Sequence, residues 1–198
     1  MAEVQLNRAL NLVLTIDRDE RGPIYVHSTP LARMVFEANF RIFARAFSAL
    51  YTDNLLAISG PKVAALLLIE QAQVMGQEQR AHELLAEMRR LTQVIAPRAN
   101  NGGGFETLPY DVARQRKIVD DDTAADVEGA IAFFTLASRV GSVDQRNSLL
   151  RGLSLLWPAE ITSSTPSDFQ TSLRTSTTAE STGPKPTAQA IPQSSIPS

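Results

Sequence analysis

The two histidines of the chain lack the company that imidazole chemistry needs. His82 follows Glu78 by four residues, a spacing that puts two ligands on one side of a helix. No His-Glu-x-x-His pattern accompanies them, and an ordinary surface ion pair explains the spacing equally well. His27 is expected in a strand. The run Asp120-Asp121-Asp122 gathers three carboxylates but lacks the alternating spacing and closing glutamate of a calcium loop, so helix capping explains it better. Gly60-Pro61-Lys62 stands at an expected helix start, where free backbone N–H groups can hold an anion. Pro61 removes one donor, and no Gly-x-x-x-x-Gly-Lys-Ser/Thr run is present. Gly102-Gly103-Gly104 is not a nucleotide loop, because no apolar strand feeds it. Serines are plentiful, yet no Gly-x-Ser-x-Gly elbow appears. Cysteine is absent, which excludes disulfides, thiolate catalysis and cysteine-based metal sites. The expectation is a protein that is not an enzyme, with no catalytic residue, no cofactor and no metal.

Charge points the same way. Nineteen Lys+Arg against twenty-one Asp+Glu give a formal net charge of −2, with no general electrostatic reason to coat nucleic acid or an anionic membrane. Arg89-Arg90 and Arg114-Gln115-Arg116-Lys117 are the densest basic spots, and both are short and lack interleaved aromatics. The longest apolar run, from Val63 to Ile69, is far below the roughly 20 residues of a membrane helix. Met1-Ala2-Glu3-Val4-Gln5 does not open a signal peptide. An intracellular, soluble protein with no nucleic-acid or membrane partner is expected.

The elements that would position any site follow from hydrophobic period. Leu10, Leu12, Leu14 and Ile16 alternate with Asn11 and Thr15, the period of a strand with one buried face. A charged turn closed by Gly22 leads to Pro23-Ile24-Tyr25-Val26-His27, predicting a β-hairpin that must pack on helices or pair with another chain. Thr29-Pro30 caps a helix expected over 31–52, with Phe36, Phe40, Phe43, Phe47 and Leu50 along one side as the spine of the core. Glu37 is four residues before Arg41, a helix-supporting pair. A second helix is expected from Ser59 to Met75 and ends at Gly76. A third is expected from Glu78 to Ile95 and stops at Pro97. A short helix over 109–117, one carrying Val127, Ile131, Phe134 and Val140, and a last one presenting Leu149, Leu150, Leu153, Leu156 and Trp157 complete the set. The 198 residues suit one domain with something appended. Residues 174–198 are rich in Ser, Thr and Pro and bury too little to offset their ordering entropy, so a disordered tail is expected there. The fold class is α+β, mainly α: an N-terminal hairpin packed on a bundle of about five helices, as one domain over 1–173.

Several segments together resemble the tail-assembly chaperones of long-tailed (siphovirus-type) bacteriophages. They are Leu10-Asn11-Leu12-Val13-Leu14-Thr15-Ile16, Tyr25-Val26-His27-Ser28-Thr29-Pro30 and Gly60-Pro61-Lys62-Val63-Ala64-Ala65-Leu66-Leu67-Leu68. Leu84-Leu85-Ala86-Glu87-Met88-Arg89-Arg90-Leu91-Thr92, Gly104-Phe105-Glu106-Thr107-Leu108-Pro109 and Val127-Glu128-Gly129-Ala130-Ile131-Ala132-Phe133-Phe134-Thr135 extend the pattern, as do Leu156-Trp157, Ile161-Thr162-Ser163 and Thr175-Ser176-Thr177. None of these strings is a mechanistic signature, and the resemblance covers residues 4–183. It implies a helical protein of the host-cell cytoplasm that binds the tape-measure protein, keeps it soluble, helps recruit the tail-tube protein and is absent from the mature virion. It also implies a longer form made by ribosomal frameshifting near the end of the reading frame.

Such a client needs apolar surface beyond the protein's own core. Leu149, Leu153 and Trp157 are the expected client or self-assembly face, and the hairpin edge is a second candidate, for a client or a homo-oligomer. The plainer reading is that both surfaces simply complete a single domain. A minor structural or connector protein of the particle is the main alternative, and a DNA-binding regulator using Arg89-Arg90 or residues 114–117 is another.

Overall fold

A computed structural model describes residues 10–18, 21–53, 55, 59–98, 104–139 and 159–180, the side chains of 174–180 excepted. The elements are β1 (Asn11–Ile16), β2 (Ile24–Ser28), α1 (Arg33–Ala38), α2 (Phe40–Thr52), α3 (Gly60–Val74), α4 (Glu78–Arg90), β3 (Thr92–Pro97), β4 (Phe105–Pro109), α5 (Tyr110–Gln115), α6 (Asp121–Arg139), β5 (Ala159–Thr162) and α7 (Pro166–Glu180). The architecture is mixed α and β. The five strands form one antiparallel sheet in the order β4-β3-β2-β1-β5.

The expected β1–β2 hairpin forms the middle of this larger sheet. β1 and β2 pair antiparallel, with Val13 opposite His27 and Leu14 opposite Val26. Their outer edges are filled by the same chain, β3 against β2 and β5 against β1. Two strands are too few to stand alone in water, and the chain supplies the missing partners itself. The hairpin edge therefore offers no open template for a client or a second copy.

Period two sorts the sheet into two faces. Leu14, Val26, Val94 and Leu108 lie in register across four strands, all buried against the helices. Val13, His27 and Gln93 form a row on the opposite face, with Tyr25 and Ile95 in the row beside it. α7 lies over this second face, where Phe169 meets Tyr25 edge-on at 5.4 Å between ring centroids.

The helix expected to reach Ile95 ends at Arg90. Leu91 and Ile95 fit a helical stripe, but Thr92, Val94 and Ala96 also fit a strand, and β-branched residues favour the strand. Thr92 makes the join: its hydroxyl donates to the Met88 carbonyl at 2.8 Å and contacts Ser28 Oγ at 3.0 Å, tying the end of α4 to β2.

α7 runs as regular helix from Pro166 to Glu180, across the composition change expected at 174. Its start is a reciprocal cap. Asp168 N–H donates to Thr165 Oγ1 at 3.2 Å, Thr165 N–H donates to Asp168 Oδ2 at 3.3 Å, and Pro166 takes the first helical position. Residues 181–198 and the expected last helix around 149–157 lie outside the described residues.

α3 and α6 cross closely through Gly60 and Gly129. A methyl on Gly129 would clash with the carbonyl oxygens of Pro61 and Lys62, the latter at 2.8 Å, and one on Gly60 would meet the Phe133 ring at 2.8 Å. Gly60-Pro61-Lys62 is thus a helix-crossing feature.

Candidate functional site

The phenylalanine spine is divided in two. Asn39 interrupts the expected continuous helix between α1 and α2. Its buried side chain holds the break: Nδ2 donates to the Val35 carbonyl at 2.7 Å, and Oδ1 accepts from Arg80 Nε at 2.7 Å. Phe36 and Phe43 stack face to face at 4.7 Å in the core, and Leu50 is fully buried with them. Phe40, expected beside them, is 54% exposed.

Phe40 begins a second apolar seam. Phe40, Ala44, Phe47 and Tyr51 stand at spacings of 4, 3 and 4, so they share one side of α2 over about 16 Å of helix. Ala44 and Phe47 are half-buried, and Tyr51 is 70% exposed. At the Phe40 end the seam opens beside a shallow depression of about 330 Å³, lined by Glu37, Ala38, Asn39, Arg41, Ile42 and Gln77. Exposed Arg41 and Arg45 flank it. The expected Glu37–Arg41 pair does not form, because the break at Asn39 removes the helical register between them; Glu37 pairs with Arg33 at 2.6 Å instead. Among the described residues no carboxylate makes an ion pair with Arg41 or Arg45. An apolar stripe bordered by unpaired cations suits an amphipathic helix with acidic flanks.

The other sequence-derived candidates are dispersed. His82 Nε2 lies 3.8 Å from Glu78 on the exposed side of α4, an ordinary surface pair. Asp120 accepts the Thr123 N–H at 2.7 Å, which holds its carboxyl below the usual range and caps α6 as expected. No group of three or more His, Cys, Asp or Glu able to hold a metal occurs among the described residues. The basic spots are matched by acids: Arg89 and Arg114 both reach Glu128, Arg90 binds Glu87, Arg116 faces Glu106, and Lys117 and Arg114 reach Asp121. A second cavity of about 250 Å³, at the end of the β1–β2 turn, sets Arg18, Arg21 and Lys117 against Asp17 and Asp120. Leu149, Leu153 and Trp157 lie outside the described residues.

One cluster escaped sequence reasoning. His27 is fully buried, its Nε2 donating to the Ser164 carbonyl at 3.0 Å, and Asn11 Nδ2 donates to the same oxygen at 2.9 Å. Asn11 Oδ1 and His27 Nδ1 are buried with no partner. Burial pushes the His27 imidazole below its ordinary pKa, opposed by the bond to Ser164. The polar residues at Asn11 and His27 within otherwise apolar strands were the available signal.

No family model, curated protein or solved structure matches this chain.

Proposed function

We propose that this chain is a non-catalytic binding protein acting as a phage tail-assembly chaperone: it holds the tape-measure protein soluble in the host-cell cytoplasm and helps recruit tail-tube subunits. The observation that supports this reading is the seam of Phe40, Ala44, Phe47 and Tyr51 on α2. Large aromatic side chains left half in water beside the core are expensive to maintain unless something covers them. A long helical client carries repeating apolar stripes, and each stripe fits such a seam by shape and greasiness, with Arg41 and Arg45 selecting stripes bordered by Asp or Glu. The segment resemblance supports the phage assignment. No described helix is long and apolar enough to cross a membrane.

Co-expression with the tape-measure protein encoded nearby tests the reading. The tape-measure protein is expected in the soluble fraction only when this chain is present. Its remaining insoluble beside a soluble, folded chain contradicts the proposal, as does finding this chain in purified particles, which favours the connector alternative.

A further inference from the structure

α3 carries an outer row that the fold itself does not use. Leu66, Glu70 and Val74 follow at four-residue steps, one turn apart over about 12 Å of helix. Leu66 is 65% and Val74 66% exposed, whereas Val63 and Ile69 on the same helix pack against the core. Glu70, between the two, is exposed and makes no ion pair with any described residue.

α2, which packs against α3, holds the complement. Phe40 to Phe47 and Ala44 to Tyr51 each span seven residues, about 10.5 Å, close to the separation of Leu66 and Val74. Arg41 and Arg45 border this seam with no carboxylate partner among the described residues, and no ion pair joins either of them to Glu70 within the chain. The chain therefore carries both halves of a match: an apolar row with a free carboxylate and an apolar row with free guanidiniums. A two-fold arrangement satisfies both halves at once, because each contact is made twice.

We propose that two copies of this chain pair reciprocally through α2 and α3. Leu66 and Val74 of each copy lie on the Phe40–Tyr51 seam of the other, and Glu70 meets Arg41 and Arg45. The contact is small: helices of 13 and 15 residues present roughly 400 Å² of outer face per copy. A standard-size interface takes about 800 Å² per partner, so this dimer is weak and reversible. It covers the seam when no client is present and yields to one that binds there. The inference rests on the seam being a binding surface, as the chaperone reading does, and not on the identity of the client.

Sedimentation equilibrium of the purified full-length chain tests the pairing. The unmodified chain should show a concentration-dependent monomer–dimer equilibrium. Glu70→Lys and the double variant Arg41→Glu/Arg45→Glu change exposed positions, and circular dichroism checks that both fold. Each alone should weaken the dimer by roughly tenfold. An equal mixture of the two should restore it as a heterodimer. One half of the contact then sets the introduced lysine against the introduced glutamates, while the other keeps Glu70 against Arg41 and Arg45. A monomer mass for the unmodified chain at every concentration up to about 1 mM overturns the proposal. So does a dimer that both folded variants retain undiminished, or a mixture that does not associate. A monomeric chain that keeps the tape-measure protein soluble overturns this inference alone, and a dimer beside an insoluble client overturns the chaperone reading alone.

Discussion

Phe40 and Phe43 have the same side chain on the same helix and opposite fates, which makes them the sharpest residue-scale comparison. Phe43 is fully buried and stacked on Phe36, so Phe43→Ala should cost about 3–5 kcal/mol, readable as a lower denaturant midpoint. Phe40 touches Phe36 only edge-on at 6.4 Å and is mostly in water. Phe40→Asp should cost about 1 kcal/mol or less and act on binding instead. His27 sets a pH dependence whose sign follows from burial. The folded state favours neutral imidazole, so between the depressed folded pKa and the ordinary 6.5 the unfolded chain holds a proton that the folded chain does not. Stability is therefore fully present above that window and falls as pH drops through it. Tyr25 beside it, Glu160 on the same face two strands away, and Asp168 next to Phe169 are the titratable groups nearby on the packed elements; none makes an ion pair with His27. Thermal melts from pH 7.5 to 5 should show a declining Tm, and His27→Gln should flatten the decline; an unchanged slope in that variant contradicts the assignment. Sequence reasoning placed His27 in a strand but could not show its burial, because the α7 helix that covers it lies over 130 residues away.

At the scale of elements, the chain was legible where a single period ran without competition. β1, β2, α3 and the start of α4 follow from alternation or from helical spacing with a cap. Legibility failed where two periods overlapped, as at Thr92 to Pro97, or where one polar side chain redirected the backbone, as at Asn39. It failed for β4, whose neighbouring partner β3 reads as the end of a helix, and for β5, a four-residue strand whose partner β1 lies at the other end of the described chain. The capping pair Thr165 and Asp168 was readable in the sequence, but composition pointed to disorder from 174. The α3–α6 crossing carries its own prediction. Gly129→Ala forces a methyl against backbone oxygens that cannot yield independently, so it should destabilise the fold by about 1–3 kcal/mol and lower Tm by several degrees, a larger effect than helix propensity would suggest with its opposite sign. A Tm at or above that of the unmodified chain would refute the close approach.

For the molecule as a whole, a central antiparallel sheet is covered by helices on one face and by α7 on the other. This arrangement explains why the hairpin edges are closed and why, apart from Leu10 ahead of β1, the large apolar side chains left exposed among the described residues sit on helices: Met34 on α1, Phe40 and Tyr51 on α2, Leu66 and Val74 on α3. The seam on α2 combines length, aromatic content and unpaired cations. The sequence contained every residue of it; Phe47 packs against the core as expected, but Phe40 does not, because helical spacing locates a stripe without saying how wide the covering layer is. The decisive measurement is the soluble yield of the tape-measure protein co-expressed with Phe40→Asp/Tyr51→Asp, after circular dichroism shows the variant folded with nearly unchanged Tm. The client is expected to fall to the insoluble fraction as though the chaperone were absent. Undiminished soluble client beside that folded variant would contradict the seam as the gripping surface.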